Sequence, residues 1–141
     1  MKKFLTAIIL IAAVLLSSCT IQKNNEKDNG MNNSENGQIT YTQISAEEAK
    51  RIMDTETGYV IIDARTDSEY AEGHIPGALL IPEYEVKTKA EGMIPNKDTK
   101  ILVYCRSGRR SKIAAEELIK LGYTNVYEFG GIIDWKYDIV K

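Results

Sequence analysis

The chain has 141 residues, with 18 Lys+Arg against 20 Asp+Glu and a formal net charge of −2; without residues 1–18, which carry Lys2 and Lys3, the balance is 16 against 20, or −4. A mildly acidic chain lacks the dense basic face that nucleic-acid binding needs. About a hundred residues follow the first 37, enough for one domain with one core.

Lys2 and Lys3 precede an apolar run from Phe4 to Leu16, relieved only by Thr6. As a helix this run would reach about 20 Å, short of a ~30 Å hydrocarbon core, so it fits a signal-peptide core better than a membrane span. Leu16-Ser17-Ser18-Cys19 resembles the bacterial lipobox, in which the cysteine is acylated. Residues 1–18 are therefore expected to be a lipoprotein signal peptide and Cys19 the lipidation site. The alternative is an ordinary secretory signal cut near Ser17 or Ser18. Two or more acyl chains anchor a protein stably, so the expectation is an exported protein held at a membrane, facing the periplasm or the cell exterior. In residues 20–37 only Ile21 and Met31 are apolar among Asn, Gly and charged residues. Such a stretch cannot offset its own ordering entropy, and residues 19–37 read as a flexible tether.

Residues 38–141 alternate between strand and helix patterns. Residues 39–43 suggest a short strand, and Ser45 an N-cap with Glu48 completing a capping box on a helix to about Met53. Tyr59 to Ile62 is a compact apolar run ending at Asp63, the pattern of a strand buried on both faces. Thr66 or Asp67 caps a short helix stopped by Gly73. Residues 78–81 form a short strand, residues 83–98 a short helix and loop, and Ile101 to Tyr104 a second apolar strand. A helix follows from about Arg110 to Leu121, with Ile113, Ala114, Leu118 and Leu121 on one face. Val126 to Phe129 is a last strand, and Gly130-Gly131 leads into a turn carrying Trp135. The alternation predicts an α/β fold, a small, mostly parallel central sheet flanked by helices, with ligands at the carboxyl ends of the strands.

Cys105 to Ser111 reads CRSGRRS, between a buried strand and an amphipathic helix. A turn over Arg106, Ser107, Gly108 and Arg109 can aim successive N–H groups inward, backed by a helix N-terminus. With Arg106, Arg109 and Arg110 nearby, amides, helix dipole and guanidinium charge should all favour a Cys105 thiolate. Arg110 is expected to close the cradle, and Arg106 and Arg109 to face its mouth. A thiol sealed inside the core with its arginines turned away would leave only a catalytically silent domain. If Cys19 is lipidated, Cys105 is the one free thiol. One histidine and one free cysteine cannot build a zinc site, and no cofactor fingerprint follows the first strand.

Alongside this loop, Asp63-Ala64-Arg65, the run from Glu69 to Ala78 (EYAEGHIPGA) and Gly130-Gly131 with Trp135 (GGIIDW) occur in the order seen in the rhodanese family. From about residue 40 onward the chain resembles that family in its single-domain form. The resemblance implies a sulfurtransferase that carries a sulfane sulfur as a persulfide on Cys105. The partners would be a small sulfur donor, such as thiosulfate or another persulfide, and a thiol or cyanide acceptor; the protein would be a monomer, without cofactor or metal. The six-residue loop, Cys105 to Arg110, is one residue shorter than that of the related phosphatases and suits one sulfur atom better than a tetrahedral phosphate or arsenate. Asp63 and Arg65 are expected to support the loop as an ion pair, with Glu69 able to pair with Arg65 along a helix face, and His74 to be structural. Two other readings stand beside transfer: a non-catalytic binding or sensing module, and a thiol redox lipoprotein whose Cys105 forms mixed disulfides.

Overall fold

The computed structural model describes residues 40–141; the leader, Cys19 and the tether lie outside the described residues. Five strands, β1 (Thr42–Gln43), β2 (Tyr59–Asp63), β3 (Ala78–Leu80), β4 (Lys100–Cys105) and β5 (Val126–Gly131), form one sheet in the order β1-β5-β4-β2-β3. All four strand pairings are parallel. Between them run the helices α1 (Ala46–Thr55), α2 (Asp67–Glu72), α3 (Val86–Met93) and α4 (Arg109–Lys120), with 3-10 turns at Glu83–Glu85 and Ile132–Asp134.

Alternation along each strand divides the core into two layers. Ile61, Leu102, Tyr104 and Phe129 face Ala49 and Ile52 of α1. Ile62, Ile101, Val103 and Cys105 face Val86 and Ala90 of α3 and Ala114, Ala115 and Leu118 of α4. Because β4 lies between β5 and β2, its carboxyl end opens at the middle of the sheet edge, and Cys105 is the last residue of that strand.

Local chemistry sets the helix ends, with two departures from expectation. Ser45 accepts the Glu48 N–H at 3.1 Å, but the Glu48 carboxylate turns to Arg51 at 2.7 and 2.9 Å, so that capping box is only half formed. The complete box is on α2, where Thr66 and Glu69 satisfy each other's backbone N–H groups. On α4 the buried stripe is Ser111, Ala114, Ala115 and Leu118, spaced i, i+3, i+4, i+7. Ile113 falls outside it and is 40% exposed, contrary to the face inferred from sequence. The helix starts at Arg109, and its inner face is set by small residues that let α4 lie close to the sheet.

Candidate active site

Gly108 is the N-cap of α4 at φ +95°, a left-handed conformation that favours glycine. That turn folds the chain back on Cys105, and the Gly108 N–H donates to Sγ at 3.1 Å. Cys105 has no exposed surface. Burial pushes the thiol up, but the Ser111 hydroxyl and the amides of Ser111, Ser107 and Gly108 outweigh it and bring the thiol below its ordinary range. The loop thus gathers donors around one sulfur that is buried in the core cluster beneath its own backbone; the burial half of the condition set above for a silent domain is met, whereas the amide donors aimed at the sulfur are what a merely packed cysteine would lack.

A second layer supports the loop from β5. The β4–β5 register is irregular between Val103 and Cys105, which sets Cys105 opposite Gly131. A Cβ added to Gly131 would lie 2.2 Å from the Arg106 carbonyl oxygen and 2.6 Å from the Ser107 Cα, so only glycine lets the loop settle here. Glu128 is 2% exposed and accepts from Ser111 Oγ at 2.6 Å and from the Gly130 N–H at 2.8 Å. Ser111 Oγ also lies 3.1 Å from the Gly108 carbonyl oxygen. The hydroxyl has one proton, and the short, charge-assisted contact to Glu128 is the stronger claim on it. Glu128 and the Ser111 hydroxyl were given no role from sequence; Gly131, in the family-like GG pair, was the one signal pointing at this layer.

Of the three arginines, Arg110 departs from expectation. Arg106 and Arg109 are exposed. Arg110 does not turn its fork onto the sulfur: Nη1 and Nη2 donate to the Glu69 carboxylate at 2.7 and 2.8 Å. Its charge still interacts with Cys105, yet the principal donors to the thiol are the hydroxyl and the amides. Glu69 pairs with this arginine 41 positions away rather than with Arg65. The pair ties the first turn of α2 to the first turn of α4. Arg110 and the α2 capping box hold the Glu69 carboxyl at about 2, below its usual 4.5. A depressed carboxylate stabilises the fold fully above its unfolded value and loses that contribution as pH falls toward its folded value. Between pH 4.5 and about 2 the wild type's stability should therefore fall more steeply than that of Glu69→Gln, measured by urea unfolding followed by circular dichroism at each pH. A partly exposed pair is screened, so 1 M salt should shrink that difference.

Asp63 and Arg65 lie on the other face of the sheet. The fully buried Asp63 carboxylate accepts from Arg65 Nε and Nη2 at 2.9 and 2.7 Å, from the Arg65 N–H at 3.0 Å and from the Tyr104 hydroxyl at 2.5 Å. Arg65 also donates to the Gly73 carbonyl at 2.7 Å, and the Tyr104 hydroxyl accepts the Ile75 N–H at 3.1 Å. Burial and the hydrogen bond to Asp63 raise the Tyr104 hydroxyl far above its ordinary value, keeping it a donor. The network locks the ends of β2 and β4 together and makes no hydrogen bond to Cys105. His74 is held by other contacts: its ring stacks on Tyr70 at 3.7 Å between centroids, and its backbone exchanges two 2.8 Å hydrogen bonds with Val140.

Comparison with known proteins fits this geometry. The family described as "Rhodanese-like domain" matches residues 45–138. Thiosulfate sulfurtransferase PspE of Escherichia coli is 41% identical over 80 residues, 57% of this chain and 77% of that protein. Thiosulfate sulfurtransferase GlpE of Coxiella burnetii is 34% identical over 99 residues, 70% of this chain and 90% of its own. Among solved structures, a rhodanese with anions from E. coli aligns with a TM-score of 0.56 at 38% identity, covering 59% of this chain and 98% of that one. A rhodanese-related protein from Thermoplasma volcanium aligns with a TM-score of 0.61 at 32% identity, covering 71% and 98%. The parallel sheet, the cysteine-bearing loop and the extent of these matches agree, and the chain belongs to the rhodanese-like domain family, among its single-domain sulfurtransferases.

Proposed function

We propose that Cys105 carries a sulfane sulfur as a persulfide, taken from a small anionic donor and passed to a thiol or to cyanide. The observation that carries this is the Gly108 N–H pointed at Sγ from 3.1 Å within a loop whose amides lower the thiol. A sulfur held that way is both a usable nucleophile and a good leaving group. With thiosulfate as donor, the Cys105 thiolate attacks the outer sulfur, the sulfur–sulfur bond breaks, and sulfite leaves with the bonding pair. Cyanide or a thiolate then attacks the outer sulfur of the persulfide, and the Cys105 thiolate leaves. Arg106 and Arg109, exposed at the mouth, attract anionic donors; Ser107 and Gly108 contribute amides, and Arg110 braces the loop through Glu69. Among the described residues Cys105 is the only cysteine, so resolution falls to the acceptor. Thiosulfate as donor is supported by the relatives that bear its name.

We further propose that residues 1–18 direct export, that lipidated Cys19 and residues 19–37 tether the domain, and that a monomeric domain works at a membrane surface facing the periplasm or cell exterior. Lys2, Lys3 and the Leu16–Cys19 motif support this.

The test is intact-protein and peptide mass spectrometry after exposure to thiosulfate, polysulfide or a low-molecular-weight persulfide. The expected result is a gain of about 32 Da, one sulfur atom, on the Cys105 peptide, lost on adding cyanide or thiol. An unshifted peptide under all three donors would favour a binding module instead.

A further inference from the structure

Between α1, β2 and the segment that follows β5 lies a cavity of about 280 Å³. Its buried lining, Ile61 and Ile75, belongs to the core layer beneath α1, whereas Cys105 belongs to the layer on the other face of the sheet. This space is therefore separate from the cysteine site. Tyr59, Trp135 and Tyr137 form its aromatic walls. The planes of Trp135 and Tyr137 stand at 71° with centroids 4.9 Å apart, so the two rings make a corner. The polar ends of two of the three rings are already engaged. The Tyr59 hydroxyl donates to the Met53 carbonyl at 3.0 Å, and Trp135 Nε1 donates to the Asp138 carbonyl at 3.2 Å. What those two rings offer a ligand is π surface, without hydrogen-bond donors. Three charged side chains reach the same cavity, Lys50, Asp54 and Asp138, one positive against two negative. Lys50 is held by both oxygens of Asp54, at 2.5 and 2.7 Å, and its ammonium lies 5.4 Å from the centroid of the Tyr137 ring. Asp138 enters none of the ion pairs among the described residues. The net charge of the lining disfavours an anion, and its one cation is already neutralised.

We propose that this cavity is a binding site for a small quaternary ammonium ion of the choline class, its charge set against the aromatic walls and Asp138. Aromatic faces carry a negative quadrupole and attract cations, most effectively when little water has to be stripped away. A primary ammonium is strongly hydrated, and walls of π surface and aliphatic carbon cannot replace its hydrogen bonds to water. A quaternary ammonium has no N–H to satisfy, and its methyl groups gain by leaving water for Met53 and Ile75. The position of Lys50 over Tyr137 shows that this ring already faces one positive charge. The volume lies just below the usual span of small-molecule sites, about 300–1,000 Å³, which suits a ligand of choline size better than a larger one. The role goes beyond sulfur transfer and does not rest on it.

Trp135 is the only tryptophan in the chain, so its fluorescence reports on this cavity. The test is titration of the full chain with choline chloride at constant ionic strength, against 3,3-dimethylbutan-1-ol, the neutral carbon analogue of the same shape. Ligand-observed saturation-transfer NMR on the same samples detects binding that leaves the indole unperturbed. The expected result is a saturable response to choline in the millimolar range, with the alcohol bound at least about fivefold more weakly. Tyr137→Leu and Asp138→Asn should each weaken choline binding by about fivefold. Lys50→Gln should strengthen it, because the change clears the resident ammonium from Tyr137 and frees the Asp54 carboxylate. No saturable response by either method overturns the proposal. Equal binding of the neutral alcohol also overturns it, since the cavity would then be an apolar pocket indifferent to charge. So does weaker binding in Lys50→Gln, which would mean that the lysine and not the carboxylates meets the ligand. Should Tyr137→Leu fail to fold, Lys50→Gln and Asp138→Asn, the latter at an exposed position, decide the matter. Vesicles separate the two sources of such a cation. A Trp135 response to phosphatidylcholine vesicles and not to phosphatidylglycerol vesicles assigns a lipid headgroup, and a response to free choline alone assigns the soluble ion.

Discussion

Cys105→Ser should abolish sulfur transfer, lowering turnover with thiosulfate and cyanide by more than about a thousandfold, while the unfolding midpoint stays near that of the wild type. A serine hydroxyl in the same place can still accept the Gly108 N–H, so the loop keeps its innermost hydrogen bond. The change removes one polarisable atom from a buried site and leaves no orphaned donor, which limits the stability cost to about 1 kcal/mol. What disappears is the chemistry. An alcohol is not deprotonated by a ring of amides at neutral pH and does not form a transferable sulfur–sulfur bond. Steady-state assay and thermal unfolding of the same preparation separate the two effects. A variant that retained substantial turnover would place the reacting sulfur elsewhere, and one that unfolded would show Cys105 to be a packing residue.

Gly131→Ala should be the most damaging single-methyl change in the domain. Its Cβ would fall 2.2 Å from the Arg106 carbonyl oxygen and 2.7 Å from the Arg106 carbonyl carbon, against backbone rather than the yielding end of a side chain. Gly131 has φ −124°, which any residue adopts, so the penalty is purely steric. Either β5 separates from the loop or the loop rises off Cys105. Overpacking of this kind costs about 1–3 kcal/mol or more, and a displacement near 1 Å at a reacting group costs on the order of a hundredfold in rate. Urea unfolding should show reduced stability, and single-turnover loading of Cys105 should slow by at least tenfold. Normal stability with normal loading would mean that the contact between β5 and the cysteine loop yields freely. Gly130→Ala is the informative companion: it is strained by its φ of +85°, yet its Cβ would meet nothing within 4 Å. It should cost stability with a smaller effect on loading.

The fold was legible because parallel strands are buried on both faces and announce themselves as unbroken apolar runs. Tyr59 to Asp63 and Lys100 to Cys105 fall within a residue of the expected bounds, and Thr66 and Gly73 bracket α2 by ordinary capping chemistry. Cys105 was placed at the end of a central strand because the run from Ile101 stops there. What stayed hidden depended on contacts between distant parts of the chain. Glu69 and Arg110 are 41 positions apart, and nothing local tells Glu69 to ignore Arg65, which Asp63 has already taken. The sequence pointed to amides, helix dipole and the charge of three arginines all holding the thiolate, with Arg110 closing the cradle. That account overweighted charge, because a tight turn brings backbone amides nearer to the sulfur than long, solvated side chains come. Ile113 was assigned to the inner face because it is apolar, whereas close packing of α4 on the sheet selected the small residues beside it.

The zero exposure of the Cys105 side chain has a consequence for the company this sulfur can keep. A mixed disulfide would have to bring a second cysteine's Cβ and main chain into space already taken by the loop backbone and its contacts with Gly130 and Gly131. A sulfane sulfur enlarges the residue by a single atom. A partner of any kind, thiosulfate, thiol or disulfide, therefore reaches the sulfur only when the loop backbone over it moves aside.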